Sequence, residues 1–285
     1  MQIIDCKSVR EQILTEVKQE VEKIAERLRL VIFQVGDDDA SKVYVRNKLK
    51  TADEVGIWVE TVKCAESTPL GSLKYLISAY SEMEDTTGIM LQLPLPDHLK
   101  EHTQELLDLI PWYKDVDGLS SESVGRLWNG RDCLAPATPS GIMRLLPENL
   151  SGQNVCIVNR SNLIGKPLMK LLLDRNATVT VCHSKTTPWD LMMNTKESEI
   201  VITGIGKPKW FDHEFMGGMQ TWIDCGINRD FEGHLCGDVD TERANIHASV
   251  TPVPGGVGIL TTASLMANVV KAYEYQKRGK SNGTY

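Results

Sequence analysis

The sequence predicts an α/β fold: two domains, each built on a parallel sheet, facing one another across a cleft. Three observations carry the α/β class and the two domains. Short apolar runs alternate with longer segments of helical period along most of the chain, the pattern of strands joined by crossover helices. The 285 residues suffice for two domains of ordinary size. A stretch rich in Gly, Asp and polar residues, Pro111 to Pro136, then breaks the alternation near the middle. The division expected from it is 1–137, completed by a C-terminal helix within 262–285, and 138–261.

The elements follow in order. Val9, Ile13, Val17, Val21, Ile24 and Leu28 recur at helical spacing and predict a helix over 9–28. Leu30–Val35 reads as a buried strand. Ser41 is a good N-cap for a second helix, with Gly56 as its stop. Ile57–Val62 is the next strand, Leu70–Met83 a helix, Gly88–Leu93 a strand and His98–Ile110 a helix. After the polar stretch, Thr138 is expected as an N-cap with Pro139 at the first helical position. Strands are then expected at Asn154–Val158, Ala177–Cys182, Glu199–Thr203, Thr221–Asp224 and Ala248–Thr251. A last helix covers about 262–277, and the polar tail 278–285 is expected to fray.

Composition narrows the function classes. Hydrophobic residues make up 41% and charged residues 24%, ordinary globular usage that excludes disorder. With 31 basic and 38 acidic residues the net charge is −7, which argues against a broad nucleic-acid surface but leaves room for a local phosphate pocket. No apolar run approaches the length of a membrane span. The start, Met1-Gln2-Ile3-Ile4-Asp5-Cys6, lacks the basic and apolar regions of a signal peptide, so a cytoplasmic protein is expected. The 7 cysteines form no C-x-x-C pair, and several sit inside apolar runs. They read as small buried hydrophobes in a reducing compartment.

One strand–turn–helix points to a nucleotide. Val155–Val158 leads through Asn159-Arg160-Ser161-Asn162-Leu163-Ile164 to Gly165-Lys166-Pro167. A helix N-terminus offers unpaired N–H groups and partial positive charge, which suits a pyrophosphate. Only the last glycine of the usual dinucleotide fingerprint is present, and Pro167 excludes a P-loop. The next strand ends in Cys182-His183-Ser184-Lys185-Thr186, with no acid to take ribose hydroxyls. With Arg160 in the first loop, this predicts a pocket for the 2′-phosphate of NADP in a Rossmann-like domain. Thr203-Gly204-Ile205-Gly206 would let the backbone approach another part of the cofactor.

A second constellation points to chemistry. Tyr44 and Lys48, at i and i+4, share a helix face. Gln92 stands at the carboxyl end of a strand, where ligand sites of open parallel sheets lie. Asp115-Val116-Asp117-Gly118 adds carboxylates near the domain junction.

Taken together, these blocks resemble the bifunctional methylenetetrahydrofolate dehydrogenase/methenyltetrahydrofolate cyclohydrolase family (FolD). The resemblance spans nearly the whole chain. It includes Tyr44–Lys48, Leu91–Pro96, Lys114–Gly118, Pro136–Gly141, Arg160-Ser161, His183–Lys185, Asp224–Asn228, Gly237–Val239 and Thr251–Gly258. It implies that Lys48 is the catalytic lysine, with Gln92 hydrogen-bonded to it. Asp117 would grip the pterin edge, whose two adjacent N–H donors suit a carboxylate. Tyr44 would stack on the folate and help hold Lys48, while Pro252, Gly255 and Gly256 would line the substrate side. Cofactor contacts would come from Asn159, Arg160, Ser161, Ile164 and Gly165 in the first loop, and from His183 and Ser184 in the second. Thr203, Gly204, Gly226 and Ile227 would complete them.

The reaction implied is oxidation of 5,10-methylenetetrahydrofolate by NADP⁺, then hydrolysis of the methenyl product to 10-formyltetrahydrofolate. Tetrahydrofolate derivatives are the partners implied, with a homodimer through the nucleotide domain and neither nucleic acid nor membrane. Asn159 stands where the family usually has Gly, and a left-handed Asn would keep that turn. Ile259 stands where the family usually has Pro, which would loosen the loop before it. Rival readings are a dehydrogenase with one activity only and an NADP-binding sensor. A third is a metallohydrolase, because His98-Leu99-Lys100-Glu101-His102 matches H-x-x-E-H; no third ligand accompanies it, and no metal site is expected.

Overall fold

The computed structural model describes residues 1–282. The chain opens with β1 (Gln2–Ile3) and α1 (Cys6–Lys23), then alternates β2 (Arg29–Val35), α2 (Asp39–Glu54), β3 (Trp58–Cys64), α3 (Leu70–Glu82) and β4 (Gly88–Leu91). Four short helices follow: α4 (Asp97–Lys100), α5 (Thr103–Leu107), α6 (Ser121–Trp128) and α7 (Ala137–Met143). Next come β5 (Asn154–Val158), α8 (Gly165–Asp174), β6 (Thr178–Cys182), α9 (Pro188–Glu197), β7 (Ile200–Thr203) and β8 (Thr221–Asp224). The last elements are β9 (Asn228–Arg229), β10 (Leu235–Cys236), β11 (Ser249–Val250) and α10 (Val257–Asn282).

The chain divides into two compact units, residues 12–137 with 262–285, and residues 1–11 with 138–261. The first eleven residues fall in the second of these, not beside 12–137. The physical reason is β1, which pairs in parallel with β11 through Gln2↔Ser249 and Ile3↔Val250.

In the unit of 12–137 the sheet is parallel, in the order β3-β2-β4. From Leu30 to Val35 every residue of β2 is buried, because both faces of this central strand are covered. Phe33 and Val31 pack with Leu73 and Ile77 of α3 and with Leu99 and Leu106. Each such side chain contributes about 1.5–3 kcal/mol on burial.

In the other unit six parallel strands run in the order β1-β11-β8-β7-β5-β6. Val155 and Ile157 of β5 face one core, with Leu168 and Leu172 of α8. Cys156 and Val158 face the other, with Trp222 and Phe211. This strict alternation explains why β5 reads as an unbroken apolar run. None of the 7 cysteines forms a disulfide, and Cys156 and Cys182 lie side by side with their sulfurs 3.8 Å apart.

Several expectations are corrected. Helix α2 begins at Asp39; the Ser41 side chain, expected as its cap, lies outside the described residues. Helix α7 begins at Ala137, so Thr138 sits within its first turn and not at its cap. The helix expected over 98–110 is two short helices with a turn at Glu101-His102 between them. Helix α6 occupies the aperiodic stretch. Ser120 caps it by accepting from Ser123 N–H at 3.2 Å, a signal its polar surroundings conceal. Helix α10 runs from Val257 to Asn282, longer at both ends than expected; residues 283–285 lie outside the described residues. Among the described residues no helix is long and apolar enough to cross a membrane.

Candidate active site

Lys48 is buried on α2, 8% exposed, although the helix around it is largely solvated. Its Nζ donates a 2.8 Å hydrogen bond to Gln92 Oε1. Gln92 is held on both sides: its backbone N–H donates to Phe33 O at 2.8 Å, extending the β2–β4 ladder by one residue, and its Nε2 donates to Leu93 O at 2.7 Å. The amide oxygen is therefore fixed toward the lysine.

Burial pulls the Lys48 pKa below its ordinary 10.5, and the nearby Asp117 carboxylate partly offsets this. The reciprocal holds for Asp117, raised above 3.8 by burial and pulled back by Lys48. The structure thus brings together Lys48, Gln92 and Asp117 as one electrostatic group. Tyr44 lies one turn earlier on α2, 38% exposed, with its hydroxyl pKa raised by burial.

Asp115, the other carboxylate of its loop, is committed to structure. Its Oδ2 accepts from Ser120 N–H and from the Ser123 hydroxyl, each at 2.7 Å. Asp117 is positioned by neighbours that sequence reasoning missed. Asn268 of α10, 3% exposed, donates from Nδ2 to Val116 O and to Ala135 O, both at 2.8 Å. The available signal is a polar residue on the buried stripe of an apolar helix.

Gly118 turns the chain with φ +66°, and a β-carbon there would overlap the Leu134 carbonyl. Substituting Gly118 with Ala is expected to destabilise the protein by about 3 kcal/mol, strain in the left-handed region adding to the clash. A thermal unfolding scan checks this, and an unchanged melting temperature would refute it.

The cofactor residues expected from sequence gather at the carboxyl ends of β5, β6, β7 and β8. Arg160 Nη2 stands 3.5 Å from Ser184 Oγ, and both side chains are exposed. The β6 loop is shaped from within: His183 N–H donates to Thr186 Oγ1 at 2.9 Å, and Lys185 N–H to His183 Nδ1 at 3.1 Å. A guanidinium beside a hydroxyl, on a turn whose sequence holds a lysine and no carboxylate, is chemistry that suits the 2′-phosphate of NADP.

Asn159 is not left-handed, contrary to expectation; Asn176 and Lys209 are the non-glycine residues with positive φ among those described. Its carboxamide acts instead as a local tie. Oδ1 accepts from Ser161 N–H at 2.7 Å and Gly165 N–H at 3.1 Å, and Nδ2 donates to Gly204 O at 2.5 Å. Gly165 must lack a side chain, since a β-carbon would overlap the Asn159 carbonyl. Ile164 N–H donates to Ser161 Oγ at 3.1 Å.

Thr203, Gly204, Gly226 and Ile227 are arranged by Asp238, a residue of the Gly237–Val239 block for which the sequence suggests no role. Wholly buried, it accepts from the Thr203 hydroxyl at 3.2 Å, Ile205 N–H at 2.6 Å, Lys207 N–H at 3.0 Å and Asn228 Nδ2 at 2.9 Å. A β-carbon on Gly226 would strike that carboxylate, and Ile227 is half-exposed beyond it. Asp224 holds the same corner by accepting from Gly226, Asp238 and Val239 N–H, and burial raises its pKa to about 6.

Pro252, Gly255 and Gly256 lie in the turn between β11 and α10, in the unit of 138–261, with Gly255 at φ +96°. Ile259 N–H, which a proline would lack, donates to Gly256 O at 3.2 Å. His98 and His102 do not share a helix face. His98 Nε2 lies 3.1 Å from Thr68 O, and His102 Nδ1 lies 2.9 Å from Glu105 Oε2.

Comparisons with known proteins bear on the whole chain. Residues 4–117 match the catalytic domain, and 136–277 the NAD(P)-binding domain, of tetrahydrofolate dehydrogenase/cyclohydrolase. Bifunctional protein FolD of Agathobacter rectalis is 43% identical over 277 residues, 95% of this chain and 98% of that protein. The crystal structure of the FolD methylenetetrahydrofolate dehydrogenase/cyclohydrolase of Campylobacter jejuni superposes with a TM-score of 0.90 at 34% identity, covering 96% and 99% of the two chains. The Trypanosoma brucei enzyme, solved with NADP cofactor and inhibitor, gives a TM-score of 0.89 at 31% identity, covering 97% and 98%. With both domain models matched in order and such identity over nearly its full length, the chain belongs to the tetrahydrofolate dehydrogenase/cyclohydrolase family, FolD.

Proposed function

We infer that this protein oxidises 5,10-methylenetetrahydrofolate with NADP⁺ and hydrolyses the resulting 5,10-methenyltetrahydrofolate to 10-formyltetrahydrofolate. The observation that carries the hydrolytic half is the buried Lys48–Gln92 hydrogen bond beside Asp117. The unit of 12–137 and 262–282 carries the folate chemistry, and that of 138–261 binds the cofactor.

NADP⁺, when bound, supplies the acceptor for the hydride of the first step. The protein's own residues orient and hold. Asp117 pairs with the donor edge of the pterin, and Tyr44 stacks on the folate. Arg160 and Ser184 take the 2′-phosphate, flanked by Ser161 and His183.

In the second step water adds to the cationic methenyl carbon, and neutral Lys48 takes the proton that water loses. The bond from that carbon to N5 then breaks, N5 regains a proton, and the carbon remains on N10 as a formyl group. A lysine near its ordinary pKa would be almost wholly protonated at neutral pH, so the downward shift from burial is what allows the role. Gln92 suits it because an amide oxygen accepts an N–H from either form of the amine. A carboxylate in its place would hold the lysine charged.

The cytoplasm suits seven cysteines that form no disulfide. A homodimer through the nucleotide unit is supported by the β9–β10 hairpin, which stands apart from the six-stranded sheet and exposes Ile227, Phe231 and Leu235.

The direct test supplies 5,10-methylenetetrahydrofolate with NADP⁺ or NAD⁺ and separates the folates by chromatography. NADPH and enzyme-accelerated 10-formyltetrahydrofolate are expected. Methenyltetrahydrofolate persisting at its uncatalysed rate would leave a dehydrogenase alone. Arg160→Ala is expected to weaken NADPH binding by roughly tenfold, the worth of one charge-assisted hydrogen bond, while leaving NADH binding unchanged. Equal losses for both nucleotides in a binding titration would remove Arg160 from the 2′-phosphate.

A further inference from the structure

The strand order β8-β7-β5-β6 reverses direction between β5 and β7. Crevices at such switch points, beyond the carboxyl ends of the strands, are where open α/β sheets take dinucleotides. The attraction of the site normally lies in helix N–H groups left without partners. Here those donors are spent. Gly165 N–H donates to Asn159 Oδ1, and Lys166 N–H donates to Ser161 O at 3.1 Å. Pro167 has no N–H, and Leu168 N–H closes the first helical bond to Ile164 O at 3.0 Å. The expectation that the α8 N-terminus presents unpaired donors is therefore not met.

Asn159 makes the first of these commitments and two further bonds beside it. Its Oδ1 also takes Ser161 N–H, and its Nδ2 reaches Gly204 O at the end of β7. The carboxamide thus spans the crevice between the β5 and β7 ends and occupies the floor with an acceptor oxygen. A phosphate oxygen approaching Gly165 N–H meets another acceptor already there.

We propose that Asn159 closes the α8 N-terminus as a seat for the dinucleotide's pyrophosphate, so that this protein's hold on its cofactor rests disproportionately on the 2′-phosphate grip of Arg160 and Ser184. The proposal rests on the NADP reading above. It makes Asn159 a positioning residue: with the shared pyrophosphate weakly held, both nucleotides bind less tightly than they would to an open helix N-terminus, and the 2′-phosphate grip carries most of what remains.

The test is an equilibrium titration of the full protein with NADPH and with NADH, read by nicotinamide fluorescence without folate. Asn159→Gly frees both N–H groups, and it is expected to bind both nucleotides more tightly by roughly tenfold, the gain from one charge-assisted hydrogen bond. The ratio between the two affinities should stay the same, because the pyrophosphate is common to both. Asn159→Ala removes the same acceptor with less backbone freedom, and it should shift both affinities in the same direction.

A variant whose loop is merely loosened would lose affinity, never gain it. Unchanged or weaker binding of both nucleotides by the substituted proteins would therefore overturn the proposal, with wild-type NADPH binding intact. If wild type and variants alike fail to bind NADPH, the NADP reading falls and the proposal falls with it.

Discussion

Replacing Lys48 with methionine is expected to slow the hydrolysis of methenyltetrahydrofolate by about 10²–10⁴-fold, the range that a positioned general base supplies, while oxidation of methylenetetrahydrofolate continues. Methionine preserves an unbranched apolar stem in the buried site and removes only the amine. Gln92 Oε1 then loses its donor, but its own Nε2 bond to Leu93 O still anchors the amide. The two steps separate cleanly in the assay: NADPH formation reports the first, and decay of supplied methenyltetrahydrofolate reports the second. A matched fall in both would mean that Lys48 positions the folate and is not the base.

The pH profile gives an independent reading. Only the neutral amine accepts a proton, so wild-type hydrolysis should rise with pH and level off above the Lys48 pKa. Burial places that limb below the ordinary 10.5. The variant should lack the limb altogether.

How much of this was legible in the sequence depends on how local each signal is. Strands β2 and β5 read directly, since both faces of each are buried and the residues run apolar without a break. Lys48 and Gln92 were visible as residue types at the right ends of elements, although their contact spans 44 positions. Helix α6 was hidden because its apolar residues, Val124, Leu127 and Trp128, span little more than one turn within a polar stretch, and the helix expected over 98–110 broke because His102 and Thr103 start a new one.

Asn268 and Asp238 were beyond reach for another reason. Each works through bonds to distant backbone or side-chain groups, 152 positions away for Asn268 and Val116, so neither a polar residue on an apolar helix nor a matched block says what the side chain holds. Asn159 shows the converse. The residue stood out, but its backbone is not left-handed: its side chain ties two nearby N–H groups, Ser161 and Gly165, to the distant Gly204 carbonyl, and that third partner is beyond any short-range pattern.

Asp117→Asn is expected to raise the KM for folate substrates by about a hundredfold or more. Truncating one partner of a buried, charged hydrogen-bonded pair costs about 2–5 kcal/mol. Asparagine is nearly isosteric, so the loop held by Asn268 and Gly118 should keep its shape. What changes is the pattern: the pterin edge offers two donors, and an amide meets one of them with a donor of its own.

The charge change also reaches Lys48. Asp117 favours the protonated lysine, opposing burial. Removing the carboxylate leaves desolvation unopposed, so the alkaline limb of hydrolysis, measured at saturating folate, should move to lower pH in the variant. On the acid side the wild-type KM should worsen as Asp117 takes a proton, at a pH above that of an ordinary carboxylate because burial raises its pKa. The variant, having no carboxylate to protonate, should show no such step. A variant with a raised KM but an unmoved limb would keep Asp117 as a pterin contact and end its electrostatic partnership with Lys48. A limb that moves while KM stays put would do the reverse, and only both shifts together fit one site in which the same carboxylate holds the substrate and tunes the base.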